Sequence, residues 1–370
     1  MTPSNVSQPL QNVTTLPQDG GQPVAKATAQ FDGSDAVIAF SGSGWSANGS
    51  EEISLQLWLD GQPIGQPLSL YANSGQMHLC LGRTYVWAPG ISPGEHTLMV
   101  VAGPTTITDQ NDVVSVTVWN LGDGAAVRLA DDDACPAGVG QSLLQDTFRS
   151  EGGDQLLISA SASGWVTTAG QTVFAEPILD DTGIGGTSIY GNNPDQHLAT
   201  VPTDIVFPEP TRGLHGLDLG AGGSTSTDGG DRAHLTVLEW VNAADAPVVQ
   251  ALSPPLTNVQ AQAQQGSGGT IAQASFQSNG GTLLIRSNVS AYASSSGQML
   301  MTGVQVDGTS HGWMSVYANP AETHMTLVSN DLVVTGIAAG QHTFTMIAEE
   351  NPITDVNDRV SVTILEFPSG

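Results

Sequence analysis

Ser69 to Leu121 reads SLYANSGQMHLCLGRTYVWAPGISPGEHTLMVVAGPTTITDQNDVVSVTVWNL, and its pattern occurs three times. Adding 119 to the positions Ser69, Tyr71, Asn73, His78, Gly94, His96, Thr108, Asp109 and Asp112 gives Ser188, Tyr190, Asn192, His197, Gly213, His215, Thr227, Asp228 and Asp231. A further 127 gives Ser315, Tyr317, Asn319, His324, Gly340, His342, Thr354, Asp355 and Asp358, with no gap in the run. Repetition at a fixed offset is the signature of one structural unit used several times. The three copies also serve as an alignment within a single chain.

Each copy reads as strands. Ile53, Leu55, Leu57 and Leu59 alternate with Ser54, Gln56 and Trp58, and Val114, Val116 and Val118 with Ser115 and Thr117. Period-two alternation is that of half-buried antiparallel strands. A composition of Gly 44 and Pro 21 with few charges fits an all-β chain rich in turns. The expected fold is all-β: three tandem antiparallel β-sandwich domains. The expected boundaries are a flexible N-terminal arm over 1–29, repeats over 30–121, 148–240 and 276–370, and linkers over 122–147 and 241–275. Ser41 to Trp45 is read as a turn through two glycines.

Eight basic residues against 35 acidic ones give a net charge of −27, with Lys26 the only lysine. Nucleic-acid phosphates and anionic membranes are bound largely through Lys and Arg, so neither is an expected partner. The charge favours solubility at high density. Met1 to Leu10 has neither a basic n-region nor an apolar core, and no run of 18 apolar residues follows, so no signal peptide or transmembrane segment is expected. Cys80 and Cys135 are read as free thiols.

Three constellations are candidates for chemistry. Asp109 with Asp112, Asp228 with Asp231 and Asp355 with Asp358 sit beside Thr108, Thr227 and Thr354. Calcium needs six to eight oxygens, more than one such loop offers, and the same residues suit a turn capped through its backbone amides. His78, His197 and His324 form a ring able to hold a transition metal if the domains pack about a threefold axis; the alternative is an interface histidine bonded to a neighbour's backbone. His96, His215 and His342 lie on the apolar face of a strand and read as bonded core histidines. Trp58 and Trp87 have no aromatic counterpart in the other copies and are candidates for stacking on sugar rings. Glycine-rich Gly183 to Gly186 and Gly220 to Gly223 read as loops. No nucleophile elbow, phosphate loop or Cys/His metal spacing appears, and no enzyme or cofactor is expected.

Gly340, His342 and Thr343, followed by Val362, Thr363, Ile364, Leu365 and Glu366, resemble the closing strands of jelly-roll domains in bacteriophage tail and head-surface proteins, distant relatives of the trimeric C1q and tumour-necrosis-factor-like sandwiches. The resemblance implies a jelly-roll-like fold for each sandwich and a tendency to pack in threes, so the three domains are expected to form a single-chain pseudo-trimer. The expected function is that of a non-enzymatic structural protein of a virion or extracellular surface: a decoration, head-fibre or tail component. Its partners are other proteins of the assembly, met through residues 1–29. The alternative is a carbohydrate-binding protein or adhesin using the variable front loops and a glycan partner.

Overall fold

The computed structural model describes residues 6–18, 20–122, 125–153, 155–208, 210–240, 248–250 and 259–368. It is all-β, and its strands pair antiparallel throughout. In the first repeat Val6–Thr14, Val113–Asn120, Ala36–Gly44 and Leu79–Ala88 lie side by side in that order. Opposite them run Pro23–Phe31, Gly94–Ala102 and Glu51–Leu59, with Leu68–Ala72 paired to the last. First strand beside last and second beside last but one is the wrapping of a jelly roll.

The second repeat repeats the order with Ala125–Ala134, Arg232–Trp240, Gln155–Val166 and Thr203–Pro208, facing Ser142–Ser150, Gly213–Ala221, Gln171–Leu179 and Thr187–Gly191. In the third, Thr270–Ala291 and Asn330–Glu350 each run through both layers. A register shift at Gly281/Thr282 marks the bend, and the two layers join as one eight-stranded sheet.

The arm and linker boundaries are corrected by these pairings. Val6–Thr14 and Pro23–Phe31 belong to the first sandwich, and Ala125–Ala134 and Ser142–Ser150 to the second. Val248–Gln250, Val259–Gln260 and the start of Thr270–Ala291 lie within the stretch expected as the second linker. The rest of that stretch up to 258 and residues 1–5 of the arm are outside the described residues. The pattern hid these strands because they are held by backbone ladders and small residues: of Val6–Thr14 only Leu10 and Asn12 are buried, and Pro23–Phe31 buries Val24, Ala25, Ala29 and Phe31. Ser41 to Gly44 is likewise strand, not turn, and Gly42 is needed because a Cβ there would lie 2.5 Å from Leu55 Cδ1 across the core.

The closing strands are buried on both faces, not half-buried. Val114, Val116 and Val118 fill the sandwich core. On the other face Trp119 joins Val37 and Leu121 in a second core, with Leu157, Leu238 and Trp240 of the second repeat and Leu284, Leu365 and Phe367 of the third. These are the same three positions in each copy. Each such side chain contributes about 1.5–3 kcal/mol over leaving it exposed, so each sandwich is stabilised by packing its inner sheet on the other two.

Candidate functional site

The inner sheets also carry charge into that shared core. Arg83 of the first repeat bonds Asp331 of the third, and Arg286 of the third lies 3.1 Å from Asp204 of the second. All four are buried. The Arg286–Asp204 approach lacks hydrogen-bond alignment, so charge attraction and ring faces hold Arg286: its guanidinium lies 4.4 Å from the Tyr85 ring centroid and 4.7 Å from that of Trp119. Tyr85, Asp204 and Asp331 occupy one equivalent register position, and Ala39, Ser159 and Arg286 another. The copies differ here, so comparing them left these residues unremarked. The available signal was a charge inside an apolar strand run, as in Leu283, Leu284, Ile285, Arg286.

At the junctions the copies agree. The backbone amide of His197 donates to Asn73 Oδ1 of the first repeat at 2.8 Å, that of His324 to Asn192 Oδ1 of the second at 3.1 Å, and that of His78 to Asn319 Oδ1 of the third at 2.7 Å. The three contacts close a cycle. Each imidazole packs between an aromatic of its own repeat, Trp45, Trp165 or Tyr292, and a tyrosine of the neighbour, Tyr317, Tyr71 or Tyr190, with centroids 4.4–5.8 Å apart.

The aspartates and this histidine set, separate in sequence, meet in one place. His78 Nδ1 lies 2.9 Å from Asp112 Oδ1, with 2.8 Å at both His197–Asp231 and His324–Asp358. The same oxygen accepts from Ser43, Ser163 or Ser290, while Asp112, Asp231 and Asp358 Oδ2 accept the amides of Asp109, Asp228 and Asp355. Asp109 Oδ1 accepts the Asn111 amide at 2.7 Å, and Gly230 and Asn357 repeat this in their own copies. Thr108, Thr227 and Thr354 donate to the carbonyls of Leu16, Pro136 and Gln262, tying the turn to the opening segment of each repeat. Among the described residues, each group able to converge on an ion contains a single histidine with two aspartates.

His96, His215 and His342 lie at the ends of the outer sheets. Their Nδ1 atoms approach Asp60, Asp180 and Asp307 to 2.5–2.6 Å, and their Nε2 atoms approach the carbonyls of Ser92, Thr211 and Ala338 to 2.7–2.9 Å. Both nitrogens face acceptors, an arrangement that favours the imidazolium form. The bond to Asp60 and Asp307 is the chief cause that raises His96 and His342 above the ordinary imidazole value. At His215 burial pushes down, but the bonds to Thr211 and Asp180 outweigh it. Asp60 and Asp307 are lowered chiefly by the same histidine bonds; at Asp180 burial opposes, and the His215 bond prevails.

The imidazolium contribution is therefore complete below about pH 6.5 and is lost as pH rises through the raised folded values. The aspartate contribution is present above about pH 3.9 and is lost as pH falls through the lowered ones. Thermal stability is expected to decline as pH rises above about 6.5, and the triple variant Asp60→Asn, Asp180→Asn, Asp307→Asn to lose that part of the decline. Parallel profiles for the two proteins would exclude the imidazolium.

Trp58 and Trp87 do not converge. Trp58 stands between Leu57 and Leu59, which face the core, so it lies on the outside of the outer sheet. Trp87, 45 % exposed, pairs across the inner sheet with Val37 and donates to Asp35 Oδ2 at 3.3 Å. Cys80 and Cys135 are free and buried, and burial pushes the Cys80 thiol up to about 12. No helix among the described residues is long and apolar enough to cross a membrane.

No family model and no curated protein matches the chain. Among solved structures it is similar to a protein with the triple jelly-roll fold from the turret assembly of an archaeal virus, at 12% identity and TM-score 0.21, over 98% of this chain and 90% of that one. It is similar to the major capsid protein P2 of bacteriophage PM2 at 8% identity and TM-score 0.24, over 64% and 98%. It is also similar to the tandem CBM22 domains of Xyn10C from Paenibacillus barcinonensis at 12% identity and TM-score 0.21, over 65% and 94%. Likeness this distant carries no function, and the jelly-roll assignment rests on the strand pairings themselves.

Proposed function

We propose that this chain is a non-enzymatic structural subunit of a virion or surface assembly, in which three jelly-roll sandwiches form a single-chain pseudo-trimer. The observation that carries the reading is the cycle of His197–Asn73, His324–Asn192 and His78–Asn319 contacts around a shared buried core. A head-to-tail contact that closes after three steps is the geometry of a cyclic trimer. Linking the units covalently makes each contact intramolecular, at high effective concentration. A net charge of −27 keeps such subunits soluble and apart when displayed densely.

Assembly partners then meet outer surfaces rather than the opening segment, whose Val6–Thr14 and Pro23–Phe31 are committed to ladders and whose Gln11 donates across to the His311 carbonyl. Small-angle scattering tests the closed arrangement. A radius of gyration of about 21 Å is expected for one compact globule of this length, and an elongated particle well beyond about 30 Å would overturn the reading.

A further inference from the structure

Six of the seven arginines have a carboxylate oxygen within ion-pair distance: Arg83, Arg128, Arg149, Arg212, Arg232 and Arg286. Arg359 has none among the described residues, in a chain with 35 acidic side chains. The comparison that matters is with Arg232, its equivalent one repeat earlier. Arg232 Nε donates to Ser69 of the preceding repeat and Nη2 to Glu52 at 3.3 Å. Arg359 Nε makes the first of these bonds, to Ser188 at 3.1 Å. The residue in Glu52's place is Thr172, so the second has no partner. Nη1 is buried without a hydrogen-bond partner as well.

The same junction is hollowed out. A groove of about 660 Å³ lies between the second and third repeats, with Arg359, Phe174, Thr172, Ser188, Ser224 and Gln260 in its walls. Its remaining walls are Gly185, Gly186, Gly222 and Gly223. At the first junction Gln66, Pro67 and Pro104 stand where Gly185, Gly186 and Gly223 do; at the third, Trp313, Glu349 and Glu350 stand in place of Gly186, Gly222 and Gly223. The glycines also let the Phe174 ring lie against backbone: a Cβ on Gly186 would meet its Cε2 at 2.3 Å, and one on Gly222 its Cδ1 at 3.0 Å. Phe174 itself stands where the first copy has Ser54 and the third has Met301.

We propose that this groove binds a saccharide bearing a carboxylate, a uronate-type sugar. The volume suits a small ligand. The guanidinium supplies a planar fork that matches a carboxylate, and Phe174 offers the aromatic surface on which a sugar ring stacks. The Thr172 hydroxyl, with the bonding capacity left on Ser188, Ser224 and Gln260 beyond their bonds to Arg359, the Thr172 carbonyl and the Val356 carbonyl, meets the sugar's own hydroxyls. Burial holds Arg359 below the ordinary arginine value, a cost that an anionic ligand would offset. A polyanion is disfavoured by the net charge of −27. A peptide carboxylate is disfavoured because, among the described residues, Phe174 is the only large apolar side chain in the walls.

Titration of the full chain with oligosaccharides carrying a single galacturonate or glucuronate residue on a neutral chain, with neutral oligosaccharides of the same length, and with a short peptide ending in a free carboxylate tests this. The uronates are expected to bind at least about tenfold more tightly than either control. Thr172→Glu copies the neutralised first junction and should keep the thermal midpoint while lowering uronate affinity by about tenfold or more. Arg359→Gln should abolish the preference for uronate over neutral sugar. Absence of uronate binding, equal binding of neutral sugar, tighter binding of the peptide, or a Thr172→Glu variant that binds like the parent would each overturn the proposal. None of these outcomes bears on the closed three-repeat arrangement, which scattering tests separately.

Discussion

Asp331→Ala is expected to lower the unfolding free energy by about 3–5 kcal/mol, the range for stripping one partner from a buried ion pair. The carboxylate bonds Arg83 and lies 3.8 Å from Arg286 Nε, and no side chain of the three is more than 3 % exposed. Burial alone would push Arg83 below the ordinary arginine value; Asp331 is the main reason that it stands above it. Without Asp331, two guanidiniums face one remaining carboxylate, Asp204, in a buried setting. Replacing Arg83, Arg286, Asp204 and Asp331 together by apolar side chains of similar volume should return most of the loss, because buried pairs often break even against well-packed hydrophobics.

The cluster's use is then one of address. Arg83 from the first repeat, Asp204 from the second and Arg286 with Asp331 from the third balance in one cyclic order, so it distinguishes three otherwise similar sandwiches. Denaturant unfolding of the single and quadruple variants decides the matter. A loss under about 1 kcal/mol for Asp331→Ala would mean that these groups meet water in solution, and the packed arrangement of the repeats would fall with it.

What repeats along the chain was legible; what differs between repeats was not. The gapless run from Ser69 to Leu121 carried the all-β, three-sandwich expectation, because alternation such as that of Val114, Val116 and Val118 reports one apolar face directly, while the jelly-roll expectation rested on the resemblance of the closing strands. It did not report that Ser115, Thr117 and Trp119 are buried too, since a polar residue facing another sandwich looks the same in sequence as one facing water. Opening strands such as Ala125–Ala134, with only Leu129 buried, carry no apolar period and were read as linker. His78 and Asp112 were both singled out but kept apart, because strand pairing rather than sequence spacing brings them to 2.9 Å. Gly185, Gly186, Gly222 and Gly223 read in sequence as loop glycines, and no motif there marks Arg359. Their meaning lies in what the other two copies hold at the same positions.

Asp112→Ala is the second large effect expected, on the order of 3 kcal/mol. Asp112 is fully buried and accepts three hydrogen bonds, from His78 Nδ1 at 2.9 Å, the Ser43 hydroxyl at 3.0 Å and the Asp109 amide at 3.0 Å. Removing the acceptor leaves three buried donors unpaired, at about 1–3 kcal/mol for each that water cannot reach. Asp112→Asn keeps one carbonyl oxygen and should lose less. The same bonds argue against an ion at this turn: both Asp112 oxygens are taken up within the turn, and one Asp109 oxygen accepts the Asn111 amide. That leaves His78 Nε2 and the other Asp109 oxygen, 3.6 Å apart, too few ligands for either calcium or a structural transition-metal site. Chelator should accordingly leave the thermal midpoint of the parent unchanged, and so should added calcium, zinc or nickel. A midpoint that rises with one of these metals in the parent but not in Asp112→Ala would reverse the assignment, because a ligand bound only by the folded state must stabilise it. The turn would then be a metal site that hydrogen bonds merely preorganise.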